Sequence, residues 1–295
     1  MRLEFLEAGP ALIVENRDRT LVVADLHFGI EFDLAAQGWH FRSRSRERLD
    51  RVIAIAQDAK PDRIILLGDV KHGIPITSRQ EFRELPAIMN RLREEAPILI
   101  APGNHDGGIE RFTGNGEMLP MTGAVIDGVG YLHGHTYPDP ALAGHLLVLG
   151  HHHPFVFLRD EVGCALQAPA YLLAPVKEDC LETSRKAPAK NADPEKSGPM
   201  GSREPGRNSG KEPDRAQETA TDPDPDPKPR TETRALFIPA FNEWAGLDVL
   251  RIWKNPTSPI SRCMDGKSAE VFLADGTPLG LLPSLGGDER SGADA

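Results

Sequence analysis

The chain has 295 residues, of which 39% are hydrophobic, and a formal net charge of −10 at pH 7. This length allows one large domain or two small ones, each with a real core. The acidic charge argues against a protein that coats nucleic acid by bulk electrostatics. No stretch approaches the roughly 20 apolar residues of a membrane span, and the N-terminal segment lacks the basic and apolar parts of a signal peptide.

The three cysteines, Cys164, Cys180 and Cys263, are widely spaced, odd in number and without any CxxC pair. This pattern predicts neither a disulfide framework nor a zinc knuckle. We therefore expect a soluble protein in the reducing cytoplasm.

Short apolar runs bounded by Gly, Pro or charge predict strands buried on both faces. They occupy residues 11–14, 20–24, 63–67, 98–101, 130–132, 146–149 and 155–158. Helical patterns lie between them at 43–59, with its arginines on the polar face, and at 77–95, with Phe82 on the apolar face. This alternation predicts βαβ units and an at least partly parallel sheet.

The composition changes from 176 to 234, where Pro, Lys, Glu, Asp, Ser and Gly dominate. We predict a disordered insertion here; a solvated tether is the simpler interpretation, and a partner-binding segment is the alternative. Strand patterns return at 235–241 and 247–253, and residues 269–282 predict a hairpin with an Asp-Gly turn. We expect 235–286 to pack back onto 1–175 as the second layer of one sandwich, with 287–295 as a disordered tail.

Five polar motifs come directly after apolar runs and together supply enough ligands for two divalent metals. They are Asp25-Leu26-His27, Gly68-Asp69, Gly103-Asn104-His105-Asp106, His133-Gly134-His135 and Gly150-His151-His152-His153. If the backbone from Ala24 to His27 stays extended, Asp25 and His27 lie on one side and can share an ion. Imidazole, carboxylate and amide ligands suit Mn, Fe, Zn, Co or Ni. A paired-metal site that activates water for attack on phosphorus is the leading interpretation, although a lone strand-end histidine is more often structural.

This ordered set of motifs resembles the calcineurin-like metallophosphoesterases over about residues 20–154. VADLHFGIE at 23–31, GDVKH at 68–72, GHHHP at 150–154 and IPAFN at 238–242 are similar to two narrower groups. These are archaeal phosphoesterases related to the nuclease subunit of double-strand-break repair complexes, and bacterial ligase-associated phosphoesterases. The resemblance implies an α/β fold (an α+β sandwich) of two mixed β-sheets packed face to face and flanked by helices, interrupted here by the long insertion.

The resemblance also implies roles for individual residues. The first metal is held by Asp25, His27 and His153, Asp69 bridges, and the second metal is completed by Asn104, His133 and His151. We prefer His133 to His135 as the ligand because it comes directly after a strand; His135 then contacts substrate, and His152 points away. His105 is expected to stabilise the transition state and protonate the leaving oxygen, with Asp106 orienting its imidazole.

Two further groups of residues have open roles. Lys71 and His72 could contact substrate, but a plain loop position at the rim is equally compatible with the sequence. Five arginines, at 42, 44, 46, 48 and 51, could track a nucleic acid backbone, although a solvated helix face is more common. The aromatic residues Phe28, Phe32, Trp39 and Phe41 could stack a base or belong to the core.

The sequence therefore predicts a dinuclear metal-dependent phosphodiesterase, with manganese as the most expected metal. The resemblance implies that a metal-bound hydroxide attacks the phosphorus of a nucleic acid or nucleotide-like diester. A phosphomonoesterase or cyclic-nucleotide hydrolase is the alternative enzyme, and a non-catalytic metal-binding scaffold is the alternative outside enzymes. DNA or RNA is the expected partner, and the insertion could recruit a DNA-repair protein.

Overall fold

A computed structural model describes residues 1–159, 165–186 and 232–286. Its first sheet contains β1 (Arg2–Phe5), β2 (Leu12–Glu15), β3 (Arg19–Val23), β4 (Arg63–Leu66) and β5 (Ile98–Ile100), in that spatial order. The first three strands are antiparallel neighbours, and β3, β4 and β5 run parallel. The parallel strands are the Ile-, Leu- and Val-rich runs that the sequence predicts, buried on both faces.

The second sheet has nine strands within the described residues. They are β6 (Ala124–Ile126), β7 (Val129–Leu132), β8 (Leu146–Leu149), β9 (Pro154–Arg159), β10 (Ala165–Pro175), β11 (Arg234–Phe237), β12 (Leu247–Asp248), β13 (Glu270–Leu273) and β14 (Pro278–Leu281). Strand β11 lies between β8, to which it is parallel, and β10, to which it is antiparallel. The C-terminal residues therefore complete a sheet begun by the first half of the chain.

Six α-helices flank the two sheets in the described part of the chain. They are α1 (Ile30–Ala36), α2 (Ser45–Ala59), α3 (Arg79–Glu95), α4 (Glu178–Lys186), α5 (Val249–Lys254) and α6 (Pro259–Cys263). Helix α3 begins with a capping box, in which Ser78 and Glu81 accept each other's backbone N–H groups. None of these helices has the length and apolar composition needed to cross a membrane.

Three apolar clusters order the elements into four layers. One joins α2 and α3 to the first sheet, and one joins the later helices to the second sheet. The third lies between the sheets, where Val22 and Ile65 face Tyr131 and Tyr171. The two mixed sheets packed face to face and flanked by helices confirm the predicted fold class.

Several local predictions were wrong. Residues 247–253 form the short strand β12 and then α5, because the Asp248 side chain caps that helix by accepting from Leu250 N at 2.7 Å. Phe82 is 46% exposed rather than part of the core. The predicted disorder from 176 is wrong for its first residues, since α4 is helical and buries Leu181. The remainder of the insertion, 187–231, and the predicted tail, 287–295, lie outside the described residues.

The cysteine prediction is also corrected. Cys180 of α4 and Cys263 of α6 form a disulfide bond, with Cα atoms 5.5 Å apart. A sequence separation of 83 residues gave no local signal for this pairing. Cys164 lies outside the described residues.

Candidate metal centre

All the predicted ligands come after the C-terminal ends of parallel strands. Asp25 and His27 come after β3, Asp69 after β4 and Asn104 after β5, whereas His133 comes after β7, and His151 and His153 after β8. Parallel strands present their C-terminal ends at the same sheet edge, and these edges meet because the sheets are packed face to face. The motifs that are distant in sequence therefore converge.

The backbone of the ligand loops differs from the extended form assumed for residues 24–27. Five ligands have left-handed backbone conformations: Asp25 (φ 55°), His27 (φ 45°), Asp69 (φ 47°), His151 (φ 69°) and His153 (φ 46°). Such conformations cost about 1–3 kcal/mol each and concentrate at functional sites. Hydrogen bonds between loops hold them, including His27 N–H to the Asp69 carbonyl at 2.8 Å.

Two glycines permit the loops to approach one another closely. A Cβ atom on Gly103 would lie 2.2 Å from Asp69 Oδ1, and one on Gly150 would lie 2.6 Å from Asp25 Oδ2. Any side chain at either position would displace a carboxylate. This explains why the motifs contain glycine beside their polar residues.

The side chains form two groups that share Asp69 and can each hold a metal ion. In each group the candidate ligand atoms lie within 4.8 Å of one another. The groups are Asp25, His27, Asp69 and His153, and Asp69, His133 and His151. The Asn104 Oδ1 atom lies 3.2 Å from His133 Nε2, beside the second group. His135 belongs to neither group, whereas His152 packs on Phe237 with its ring centroid 4.9 Å away.

The histidine electrostatics fit cation binding. Burial lowers the pKa of His27 well below its ordinary value and that of His151 to about 2, which keeps both imidazoles neutral and able to donate a lone pair. Burial also lowers the pKa of His133, but its hydrogen bond to Asp69 and the charges of Asp25 and Asp69 outweigh burial and raise it to about 9. The two carboxylates thus attract positive charge to this point.

A buried nitrogen without a hydrogen bond gives a second test of the fit. His153 Nε2 is buried and makes no hydrogen bond, although it lies 3.2 Å from Asp25 Oδ1. A buried nitrogen beside a carboxylate oxygen, without hydrogen-bond geometry, is the arrangement of two ligands that share an ion. The residues present therefore fit a site for two divalent metals.

His105 and His72 lie at the edge of the first group. The His105 backbone N–H donates to Asp69 Oδ1 at 2.8 Å, and His105 Nδ1 lies 2.5 Å from the His72 carbonyl oxygen. The two rings stack with centroids 5.0 Å apart. Because a carbonyl can only accept, Nδ1 carries the proton and Nε2 is the atom left for substrate.

Two predicted site residues occupy different places from those expected. Asp106 does not contact the His105 ring; its carboxylate accepts from Lys71 N at 3.2 Å and Gly103 N at 2.8 Å, so it braces two ligand loops. Complete burial raises the pKa of Asp106 to about 6. Lys71 is fully buried, and its ammonium group donates to the Gly73 carbonyl instead of lying at the rim.

Among the arginines and aromatic residues whose roles the sequence left open, some are buried and others are exposed. Arg48 is 1% exposed and lies 3.6 Å from Glu31 and 3.7 Å from Glu243, so the predicted polar arginine face is wrong at this position. Phe28 belongs to the core. The other three aromatic residues, Phe32, Trp39 and Phe41, are exposed.

Two buried residues position the ligand loops, although the sequence motifs that contain them were assigned no such role above. Asn242, in the IPAFN segment, is buried; its backbone N–H donates to the Asp25 carbonyl at 3.3 Å and its side chain to the Leu26 carbonyl at 3.3 Å. Glu81, in the capping box of α3, accepts from His72 N at 2.8 Å and Gly73 N at 2.6 Å. Both residues fix ligand loops from a distance in sequence.

A match to a known protein family agrees with this geometry. The family model described as calcineurin-like phosphoesterase matches residues 18–174, more than half of the chain. Among solved structures, the nuclease MPE of Pseudomonas putida gives a TM-score of 0.45 at 13% identity, over 94% of this chain and 100% of that one. The phosphoesterase Yfce of E. coli gives 0.31 at 18% identity, over 48% of this chain and 73% of that one. From the family match, the chain belongs to the calcineurin-like phosphoesterases.

Proposed function

We propose that the chain is a dinuclear metal-dependent phosphodiesterase that acts on nucleic acid or nucleotide-like diesters. The observation that carries this proposal is the pair of ligand groups that share Asp69, with His105 bonded to the same carboxylate. Two divalent ions bound there would neutralise charge on the phosphoryl oxygens and lower the pKa of a water.

The protein's own residues would orient the substrate and supply the proton for the leaving oxygen. Asp69 holds the His105 backbone, and the His72 carbonyl fixes the His105 ring, so that Nε2 is presented in one orientation. For the transfer of a proton to the leaving oxygen, Nε2 must carry a proton as well as Nδ1; we therefore assign this step to the imidazolium form of His105, which becomes the neutral ring with its proton on Nδ1. His135, half-buried beside His133, is a further candidate for substrate contact.

The burial of Lys71 favours a diester over a monoester. A phosphomonoester carries more negative charge than a diester, and a lysine at the rim would have bound that charge. The Lys71 ammonium group instead lies inside the protein, where it donates to the Gly73 carbonyl. The small monoester or cyclic nucleotide stays the second candidate, because the acidic net charge of −10 disfavours a long polyanion. A cytoplasmic location and a repair partner for the insertion at 176–234 stay predictions.

The test is hydrolysis of bis-p-nitrophenyl phosphate and p-nitrophenyl phosphate by metal-stripped protein refilled with manganese. We expect faster turnover of the diester, lost in Asp69→Ala. Faster turnover of the monoester would overturn the diester assignment. Two bound metals with no turnover of either ester would favour the scaffold instead.

A further inference from the structure

A cavity of about 380 Å³ opens directly beside the metal centre, and His153 forms part of its wall. Its other walls come from the loop before β2, the start of β9, the first half of β10, the segment after β11 and one side of α2. Because His153 belongs both to the first ligand group and to the cavity wall, a phosphate held by that group would lie next to the cavity. The volume is within the range of small-molecule sites.

The walls combine rigid apolar surfaces with side-chain amides. The apolar part includes the rigid or aromatic side chains of Pro154, Pro169, Pro239, Phe155 and Phe241. The amide of Asn242 is already used, since it accepts from Trp244 N at 2.8 Å and donates to the Leu26 carbonyl. The Gln167 amide is exposed and makes no hydrogen bond within the described residues, so it can pair with the edge of a ligand.

One cation that lines the cavity has no ion-pair partner among the described residues. The Arg51 guanidinium lies over the Phe241 ring, 4.7 Å from its centroid, and no carboxylate of the described residues pairs with it. Glu243 also lines the cavity, but it pairs with Arg44 and Arg48. Arg51 therefore offers guanidinium donors that suit a second phosphate or a sugar oxygen.

We infer that this cavity binds the nucleoside attached to the scissile phosphate, which makes the substrate class an unpaired nucleotide. Proline and phenylalanine walls suit the flat faces of a base, the Gln167 amide suits its polar edge, and Arg51 suits the neighbouring phosphate. A paired base cannot enter without leaving its stack. This inference rests on the proposed phosphodiesterase activity.

The test compares two diesters with the same leaving group on the full-length, manganese-loaded protein. These are thymidine 5′-(p-nitrophenyl phosphate), which carries a nucleoside, and methyl p-nitrophenyl phosphate, which does not. We expect a kcat/KM at least about tenfold higher for the nucleoside ester. Equal values would overturn the inference while leaving the phosphodiesterase proposal intact, whereas no hydrolysis of either would count against the phosphodiesterase itself.

Two variants test whether the preference for the nucleoside ester arises in this cavity. Gln167→Trp places an aromatic residue on a strand, where it is tolerated, and fills the cavity; we expect a KM about tenfold higher for the nucleoside ester and unchanged for the methyl ester. Arg51→Ala should weaken inhibition by thymidine 3′,5′-bisphosphate. Arg46→Ala, on the same helix with its side chain 92% exposed and outside the cavity, is the matched control. An equal effect of Gln167→Trp on both esters, or equal inhibition of the two arginine variants, would overturn the assignment.

Discussion

The backbone N–H of His105 donates a 2.8 Å hydrogen bond to Oδ1 of Asp69, the carboxylate shared by both ligand groups. The candidate proton donor is thereby held by the candidate bridging ligand. One carboxylate would thus set both the position of two bound metals and that of the histidine beside them.

Replacing Asp69 with alanine should remove both metals, because neither group keeps its shared oxygen ligand. We expect metal content, measured by mass spectrometry after gel filtration, to fall from about two ions per chain to near none. Loss of hydrolysis should accompany this. Retention of two ions would show that Asp69 does not bridge.

Replacing His105 with alanine should leave the metal content unchanged. Its ring belongs to neither of the two groups that share Asp69, and the cluster that it forms with His27 and His72 contains no carboxylate. Turnover should fall by about 100-fold for a diester with a poor leaving group such as phenolate. The decrease should be smaller for p-nitrophenolate, which leaves without a proton. Equal decreases for both esters would remove proton transfer from the role of His105.

Replacing Arg48 with alanine should destabilise the fold strongly. The side chain is buried between Glu31 and Glu243, and removing it leaves two carboxylates without their buried partner. We expect a loss of about 3–5 kcal/mol in the free energy of unfolding, measured with urea in the presence of a chelator. Arg46→Ala, which removes an exposed charge on the same helix, should cost less than about 0.5 kcal/mol. Similar losses in the two variants would contradict the buried network.

Stability should depend on the ionisation of Glu117. Its carboxylate accepts from Arg93 Nε at 2.7 Å and Nη2 at 2.8 Å, and these bonds hold the pKa of Glu117 below its ordinary value of 4.5. A lowered acid pKa stabilises the folded state above the unfolded pKa, and the contribution is lost as pH falls through the folded pKa.

Glu117→Gln should therefore cost about 1 kcal/mol near neutral pH and progressively less as the pH falls below about 4.5. Urea unfolding of both proteins across this range measures the difference. Glu94→Gln is the matched control, because its partner Arg91 lies on the same helix and the Glu94 side chain is 67% exposed. A difference for Glu117→Gln that stays constant with pH would contradict the assignment.

Reduction should weaken the packing of α4 against α6, which the Cys180–Cys263 bond joins. We expect dithiothreitol to lower the free energy of unfolding by about 2–4 kcal/mol. The variant Cys180→Ser should be equally destabilised and should no longer respond to the reductant. Equal stability of the oxidised and reduced wild type would contradict a structural role for the bond.

The sequence predicted the parallel strands and the convergence of their motifs because both depend on local signals. Continuous apolar runs mark buried strands, and parallel strands bring the loops at their C-terminal ends to one sheet edge. Strand β10 escaped prediction because it contains Pro169 and Pro175, which normally argue against a central strand. The orientations of Asp106 and Lys71 depend on left-handed loops beside them, which no periodicity reports.

The position of β11 between β8 and β10 has a consequence for the integrity of the molecule. A proteolytic cut between residues 187 and 231 would separate the chain into two pieces that still share a sheet and a covalent link, since Cys180 belongs to one piece and Cys263 to the other. All seven candidate ligands lie in the first piece, whereas the second supplies Asn242, which holds the Asp25 loop. The nicked protein should therefore migrate as one species until it is both reduced and unfolded, and its metal chemistry should depend on a fragment that contributes no ligand.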